Sequence, residues 1–167
     1  MFESVFKNFE ILLLYVLINL NSLGINPYDI PENKVIKIID GDTFEIYHNK
    51  NIEKVRLIGV NTPETVDPKK HLECFGLESS SNLKKLLDGK VVRLDKDESQ
   101  DNKDRYGRLL RYVILEEVNI NKKIIEEGFG FEYTYKKPYK FQKEFKSAEL
   151  SAKEKGLGLW SKESCSY

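Results

Sequence analysis

The chain has 167 residues, 27 of them basic (Lys, Arg) and 27 acidic (Asp, Glu), for a formal net charge of zero. That length suits one domain with enough chain to bury a real core, and the charge balance excludes arguing a nucleic-acid partner from net charge alone. Two cysteines, Cys74 and Cys165, sit in no CxxC or Cys/His arrangement, which argues against a zinc site; a single disulfide is open to them in an oxidising compartment, and two unpaired thiols are the default expectation.

The charge is uneven along the chain. Residues 1–33 hold Glu3, Glu10, Asp29 and Glu32 against Lys7, so the remainder carries a small positive excess. Within that amino-terminal stretch, Ile11 to Ile18 is a continuous apolar run extended by Leu20. It is shorter than the ~20 apolar residues of a membrane span but fits a secretory h-region, and Ser22-Leu23-Gly24 follows as small-x-small. Residues 1–24 are therefore expected to be a signal peptide or membrane anchor, and residues 25–33 a linker. The domain proper is expected over 34–167, in a secreted or membrane-tethered, extracytoplasmic protein.

Val35 to Ile39 reads as a first strand and Thr43 to Tyr47 as a second, with Asp40-Gly41-Asp42 as the tight turn between them. After a polar turn at 48–51, Lys54 to Val60 reads as the third strand, completing a meander that curls on itself. Thr65 to Gly76 is a basic loop containing Lys69, Lys70 and His71, with no apolar period. Helical spacing appears at Leu83, Leu86 and Leu87, with Gly89 as the stop. Val91 to Leu94 is the fourth strand, Asp95 to Asp104 a polar and mobile connection, and Arg108 to Leu115 the fifth strand. In that strand Leu110, Tyr112 and Ile114 are expected to face away from Arg111 and Val113. Asn119 caps a short helix through Ile120, Ile124 and Ile125. Phe141, Phe145, Ala148 and Ala152 mark an amphipathic last helix ending at Gly156, and Trp160 with Leu157 and Leu159 reads as core closure. The expected class is α+β: a five-stranded OB-type Greek-key barrel with three helices.

Arg56 to Glu64 gathers three kinds of chemistry as a strand runs into a proline turn. Arg56 is a fixed cation, Asn61 and the Thr62 carbonyl are hard oxygen donors, and Glu64 is a carboxylate on a turn restrained by Pro63. Together they suit attack on a phosphodiester, which needs its charge neutralised, a water positioned and a pentacoordinate transition state stabilised. The bland alternative is a surface β-turn with a charged neighbour. Asp40-Gly41-Asp42-Thr43 and Asp104-Arg105-Tyr106-Gly107-Arg108 tilt the balance toward chemistry. Asp42 is the strongest ligand candidate in the first of these, whereas Asp40 reads as a turn residue.

With Tyr133-Thr134-Tyr135 and Gly158-Leu159-Trp160-Ser161, these stretches occur in an order and spacing that resemble the staphylococcal nuclease (thermonuclease-like) family from Val35 to Ser161. The resemblance implies a metal-dependent endonuclease cutting DNA and RNA, single-stranded preferred, with little sequence specificity and 3′-phosphate products. It implies Ca²⁺ held by Asp42, Asn61 and the Thr62 carbonyl, phosphate clamps at Arg56 and Arg108, and Glu64 as candidate general base. Arg105 and Tyr106 correspond to contacts on a neighbouring phosphate, and Tyr133 and Tyr135 to an aromatic nucleotide pocket. No small-molecule cofactor and a monomeric state are expected. This chain departs from the family pattern at Asn61, where the best-known members carry Asp; an amide oxygen still coordinates Ca²⁺, with less charge. The rival expectation, from a different class, is a catalytically silent OB-type module that binds nucleic acid or protein. A membrane-associated structural protein rests only on the apolar amino terminus.

Overall fold

The computed structural model describes residues 30–65, 73–162 and 164, and the amino-terminal run, Lys69, Lys70, His71 and Cys165 lie outside them. Residues 32–167 form one compact unit. β1 (Lys34–Asp40), β2 (Thr43–His48) and β3 (Asn51–Leu57) make an antiparallel meander. Asn49 and Lys50, both at positive φ, form the two-residue hairpin turn that matches the right-handed twist of the strands it joins. β4 (Val60–Asn61) is a separate short strand. The third strand thus ends earlier than Val60, because Gly59 (φ 75°) turns the backbone between β3 and β4. A Cβ there would lie 2.5 Å from the Tyr139 ring, so only glycine fits.

β5 (Arg93–Asp95), β6 (Leu109–Leu115), β7 (Val118–Asn119) and β8 (Phe131–Glu132) complete the strands. The main sheet runs β1-β2-β3-β6-β5, with β7 also on β6, and β3–β6 is its parallel pair. Val35 N–H donates to the Lys90 carbonyl (2.8 Å) and Val92 N–H to the Asn33 carbonyl (3.0 Å). Those bonds, around a Lys34–Val91 bridge, bring the first strand to the segment entering β5, so the ring comes together as an OB-type barrel. β4 pairs with β8 beside it, placing Asn61 opposite Phe131.

β6 is buried on both of its faces: Arg111 and Val113 are buried along with Tyr112. The strand is central, paired on both edges. On one face the Tyr112 ring meets Phe141 and Phe145 at 4.7 and 6.2 Å, edge to face. Arg111 is accommodated by neutral oxygens, donating from Nη2 to Asn102 Oδ1 (2.8 Å) and from Nη1 to the Leu110 carbonyl (2.6 Å).

α1 (Gly76–Leu87) begins well before the leucines that announce it, since its buried face also uses Gly76, Ser79 and Asn82, which carry no hydrophobic signal. α2 (Ile120–Glu126) is capped as expected, with the Asn119 side chain accepting from Lys122 N–H. α3 (Gln142–Glu154) buries Phe145, Ala148 and Ala152. Inside α2, fully buried Asn121 donates to the Ile58 and Arg111 carbonyls (2.9 and 3.1 Å) and accepts from Val113 N–H (2.9 Å). That residue locks β6 to the end of β3, beside the site described below.

Three further expectations need correction. Residues 158–160 form a 3₁₀ turn with no buried residue, and the Trp160 ring lies under the Lys153 ammonium at 4.4 Å instead of closing the core. The 95–104 connection is pinned, because buried Asp97 accepts from Tyr112 Oη–H (2.6 Å), Lys140 N–H (2.7 Å) and Ser99 Oγ–H (2.7 Å). Cys74 is disulfide-bonded, against the expectation for its thiol.

Candidate active site

Thr43 and Arg56 are register partners on β2 and β3, and Leu110 stands opposite Arg56 on β6. The β1–β2 turn, the end of β3 and the start of β6 therefore meet at one end of the barrel. Arg56 is mostly buried there, and its Nη2 lies 2.9 Å from Asp42 Oδ2 and 2.9 Å from Asn61 Oδ1. Its Nη1 donates to the Leu57 and Val60 carbonyls at 3.2 and 2.7 Å, which fixes the guanidinium plane. Asp42 Oδ2 also accepts Thr62 N–H (3.2 Å), while Asp42 Oδ1 accepts Thr43 Oγ1–H (2.8 Å).

Arg108 reaches the same cluster from the other side. Its Nη1 lies 3.5 Å from Thr43 Oγ1, so a single hydroxyl links it to Asp42. Asp104 holds it by accepting from Nε (2.6 Å) and from the Arg108 amide (3.0 Å). The bond from Leu110 N–H to the Asn102 carbonyl (3.1 Å) seats this turn on β6.

Glu64 stands beside Asp40, with a hydrogen bond between the two carboxyl groups. Burial pushes the Asp40 carboxyl up to about 6; bonds from Thr65 Oγ1–H and Gly41 N–H work against that rise, and the Glu64 bond and the Asp42 charge add to it. Asp40 is thus more than a turn residue. It is a buried acid that hydrogen-bonds the candidate base.

Three features of the donor set suit a hard cation. Asp42 Oδ2 and Asn61 Oδ1 converge on one nitrogen of a cationic group, so two oxygens already point at a place suited to positive charge. Thr62 Oγ1 is buried with no hydrogen-bond partner, packed against Gly41. All the donors are oxygen, as Ca²⁺ requires. Among the described residues no group of three His, Cys, Asp or Glu forms a metal cluster.

The remaining expected residues lie further out. Arg105 Nη2 donates to Tyr106 Oη (2.7 Å), and both Arg105 and Arg108 sit over the Tyr106 ring, at 4.8 and 5.4 Å. Tyr106 is 68% exposed. Tyr133 and Tyr135 stack on each other at 6.4 Å and are exposed. They follow β8 without being part of a strand. Sequence reasoning missed Thr43, Asp104 and the role of Asp40. Each lies within a motif stretch, but its partner is set by the meeting of β2, β3 and β6.

The staphylococcal nuclease homologue family model matches residues 54–162. The chain belongs to the staphylococcal nuclease family. Among curated members of this family, it is 36% identical over 140 residues to a thermonuclease of Staphylococcus hyicus, covering 84% of this chain and 82% of that one. It is 39% identical over 126 residues to a thermonuclease of Staphylococcus intermedius, covering 75% and 74%. Against the SPbeta prophage-derived endonuclease YokF of Bacillus subtilis it is 33% identical over 127 residues, 75% of this chain but only 43% of that longer relative.

Proposed function

We propose that this chain is a Ca²⁺-dependent endonuclease that hydrolyses phosphodiester bonds of DNA and RNA with little sequence specificity and leaves 3′-phosphate ends. Nuclease chemistry itself, a phosphodiester hydrolase acting on nucleic acid, follows from family membership and from thermonuclease and endonuclease relatives. The observation that carries the finer reading is the sharing of Arg56 Nη2 by Asp42 and Asn61, with Arg108 tied to the same Asp42 through Thr43. Fixed guanidinium groups and convergent hard oxygens stand within one hydrogen-bonded cluster.

In this reading Asp42, Asn61 and Thr62 hold the cation, which when bound neutralises phosphate charge and lowers the pKa of a water. Arg56 and Arg108 direct fixed positive charge at the phosphate oxygens, and neither can lose its proton; Arg56 Nη2, held here by Asp42 and Asn61, becomes available to phosphate when those two oxygens turn to the cation. Glu64 orients the attacking water and takes its proton, with Asp40 fixing the Glu64 carboxyl through their shared hydrogen bond. The new P–O bond forms as the bond to the 5′-oxygen breaks, the leaving oxygen takes a proton from solvent to become a 5′-hydroxyl, and the phosphate stays on the 3′ side. Tyr106, Tyr133 and Tyr135 offer exposed ring faces to unstacked bases, which supports a single-stranded substrate. The protein acts as a monomer.

The export reading rests on the Ile11–Leu20 run and draws support from the disulfide at Cys74, since disulfides persist in oxidising compartments. Among the described residues no helix is long and apolar enough to cross a membrane. The test of function is incubation of the full chain with single-stranded DNA and RNA in Ca²⁺, Mg²⁺ or a chelator, followed by end-group analysis. Cleavage in Ca²⁺ alone with 3′-phosphate ends is the expected result; cleavage unaffected by the chelator sinks it. A second reading, the catalytically silent binding module, draws on Asn61: only Asp42 supplies direct negative charge, and Arg56 already neutralises it.

A further inference from the structure

We infer that Glu73 is a positioning residue for Glu64, and that the disulfide at Cys74 keeps Glu73 in that role. The inference rests on the reading of Glu64 as the group acting on the attacking water. Glu73 Oε2 accepts the Glu64 amide at 2.9 Å, and the Glu73 amide donates back to the Glu64 carbonyl at 3.1 Å. This pair of bonds joins the same two residues in both directions and fixes the backbone that bears the Glu64 side chain. A carboxylate accepting a backbone N–H makes a charge-assisted bond, stronger than a neutral one.

The turn that carries Glu73 is itself packed onto the Glu64 turn. Gly76 N–H donates to the Glu73 carbonyl (3.0 Å). A Cβ on Gly76 would come 2.9 Å from Thr65 Cγ2 and 3.0 Å from the Glu64 carbonyl oxygen, so the start of α1 lies against this turn at closest approach. Phe75 lies in the left-handed region at φ 69°, an unusual conformation for a bulky residue. Its surroundings hold it there: its ring packs on Phe129 at 5.6 Å, and its carbonyl accepts from Ser79 N–H and Oγ–H at 3.1 and 2.9 Å.

Cys74 lies between Glu73 and Phe75, and its Sγ is 3.1 Å from the Ser164 carbonyl oxygen. Ser164 Oγ–H is bonded to the Ser161 and Leu159 carbonyls (2.8 and 3.1 Å), and Leu159 N–H to the Gly128 carbonyl (2.9 Å). The base-bearing turn is thus moored, through Cys74, to the carboxy-terminal tail and the end of α2. The sequence separations are large, so a covalent tie at Cys74 removes many backbone alternatives for residues 73–75. Reduction by a dithiol breaks the S–S bond, delivers two electrons and two protons, yields two thiols and leaves the reductant as its own disulfide. The turn then relaxes and Glu64 loses its fixed backbone. Nuclease output is in this way coupled to the oxidation state of Cys74.

The test compares the oxidised full chain with Glu73→Ala, Glu73→Gln, Cys74→Ser and the dithiothreitol-reduced parent. Single-stranded DNA cleavage in Ca²⁺ gives kcat and KM, and amide hydrogen exchange is followed at Glu64 and at barrel residue Val55. Glu73→Ala, Cys74→Ser and reduction should each lower kcat about 10- to 100-fold, the cost of misplacing a catalytic group, with KM nearly unchanged. Glu64 amide protection should fall while Val55 stays protected, and Glu73→Gln, which keeps an acceptor oxygen, should recover part of both. Unchanged kcat in Glu73→Ala overturns the inference, as does parallel loss of protection at Val55, which marks general destabilisation. If the oxidised parent cleaves nothing, the functional reading of Glu64 fails, and exchange at Glu64 still decides whether Glu73 holds its backbone.

Discussion

Arg56 Nη2 is shared between Asp42 and Asn61, so a lysine at that position changes two things at once. A point ammonium cannot make the paired bonds to phosphate, and it leaves the Leu57 or Val60 carbonyl without its donor. Arg56→Lys is expected to slow cleavage by on the order of 10²–10³-fold and to cost about 1–3 kcal/mol of stability. Arg108→Lys, on a more exposed side chain held by Asp104, should slow cleavage similarly with a smaller stability loss, measured by single-turnover assay and denaturant melts. Folded variants with near-normal turnover would remove either arginine from the transition state. For Asn61, a Ca²⁺ titration of cleavage at fixed ionic strength is the measurement. Restoring a second carboxylate in a partly solvated site is worth ~1–3 kcal/mol, so Asn61→Asp should lower the half-saturating Ca²⁺. Asn61→Leu should raise it or abolish activity, and Asp42→Asn should be worse still. A parent-like curve for Asn61→Leu reduces Asn61 to a turn residue. The expected ligands and arginines were legible because each sits in a short, ordered motif. Asp40 and Thr43 were not, since an Asp-Gly turn and a strand threonine look alike whether or not a tertiary partner waits for them.

At the level of elements, Asp97 decides how the connection after β5 is held. Burial pushes its carboxyl up, but hydrogen bonds from Lys140 N–H, Tyr112 Oη–H and Ser99 outweigh that and leave it below the usual carboxylate range. Because the folded-state value is depressed, this stabilisation is fully present above the unfolded value of about 3.9 and is lost as pH falls through the folded value. Asp97→Asn should cost about 1.5–3 kcal/mol near pH 7, because its NH₂ cannot accept from the donors around it. Urea unfolding of both proteins from about pH 7 to about pH 2 should show the difference closing on acidification. A pH-independent gap would mean that the ionised carboxylate is not the stabilising species. The same segment shows why element boundaries were harder to read than element types. The alternation in β2 and the i, i+4, i+7 pattern of α3 each report one solvent face. β6 buries residues on both faces, Tyr112 on one and Arg111 and Val113 on the other, and the buried side of α1 is built partly from Gly76, Ser79 and Asn82. Periodicity carries no information about a surface that is covered on every side.

For the molecule as a whole, the export reading is tested at the amino terminus. In a secreting host the exported protein is expected to begin at or near Ile25, read by intact mass; full-length chain in the membrane fraction would indicate an anchor instead. The parallel pairing of β3 with β6 has a different consequence, for the moment at which the protein becomes dangerous to its maker. β1 to β3 can form a meander as soon as they leave the ribosome, but their β6 partner lies beyond a crossover of some fifty residues, and Arg108 arrives only with it. Asn61 gains its β8 neighbour later again, and α3 is laid down near the end. Non-local pairing of this kind folds late. Nascent or prematurely terminated chains ending before residue 108 lack the arginine proposed above as a phosphate clamp, so on that reading a cell translating this message meets no active nuclease until about two thirds of the polypeptide has been made.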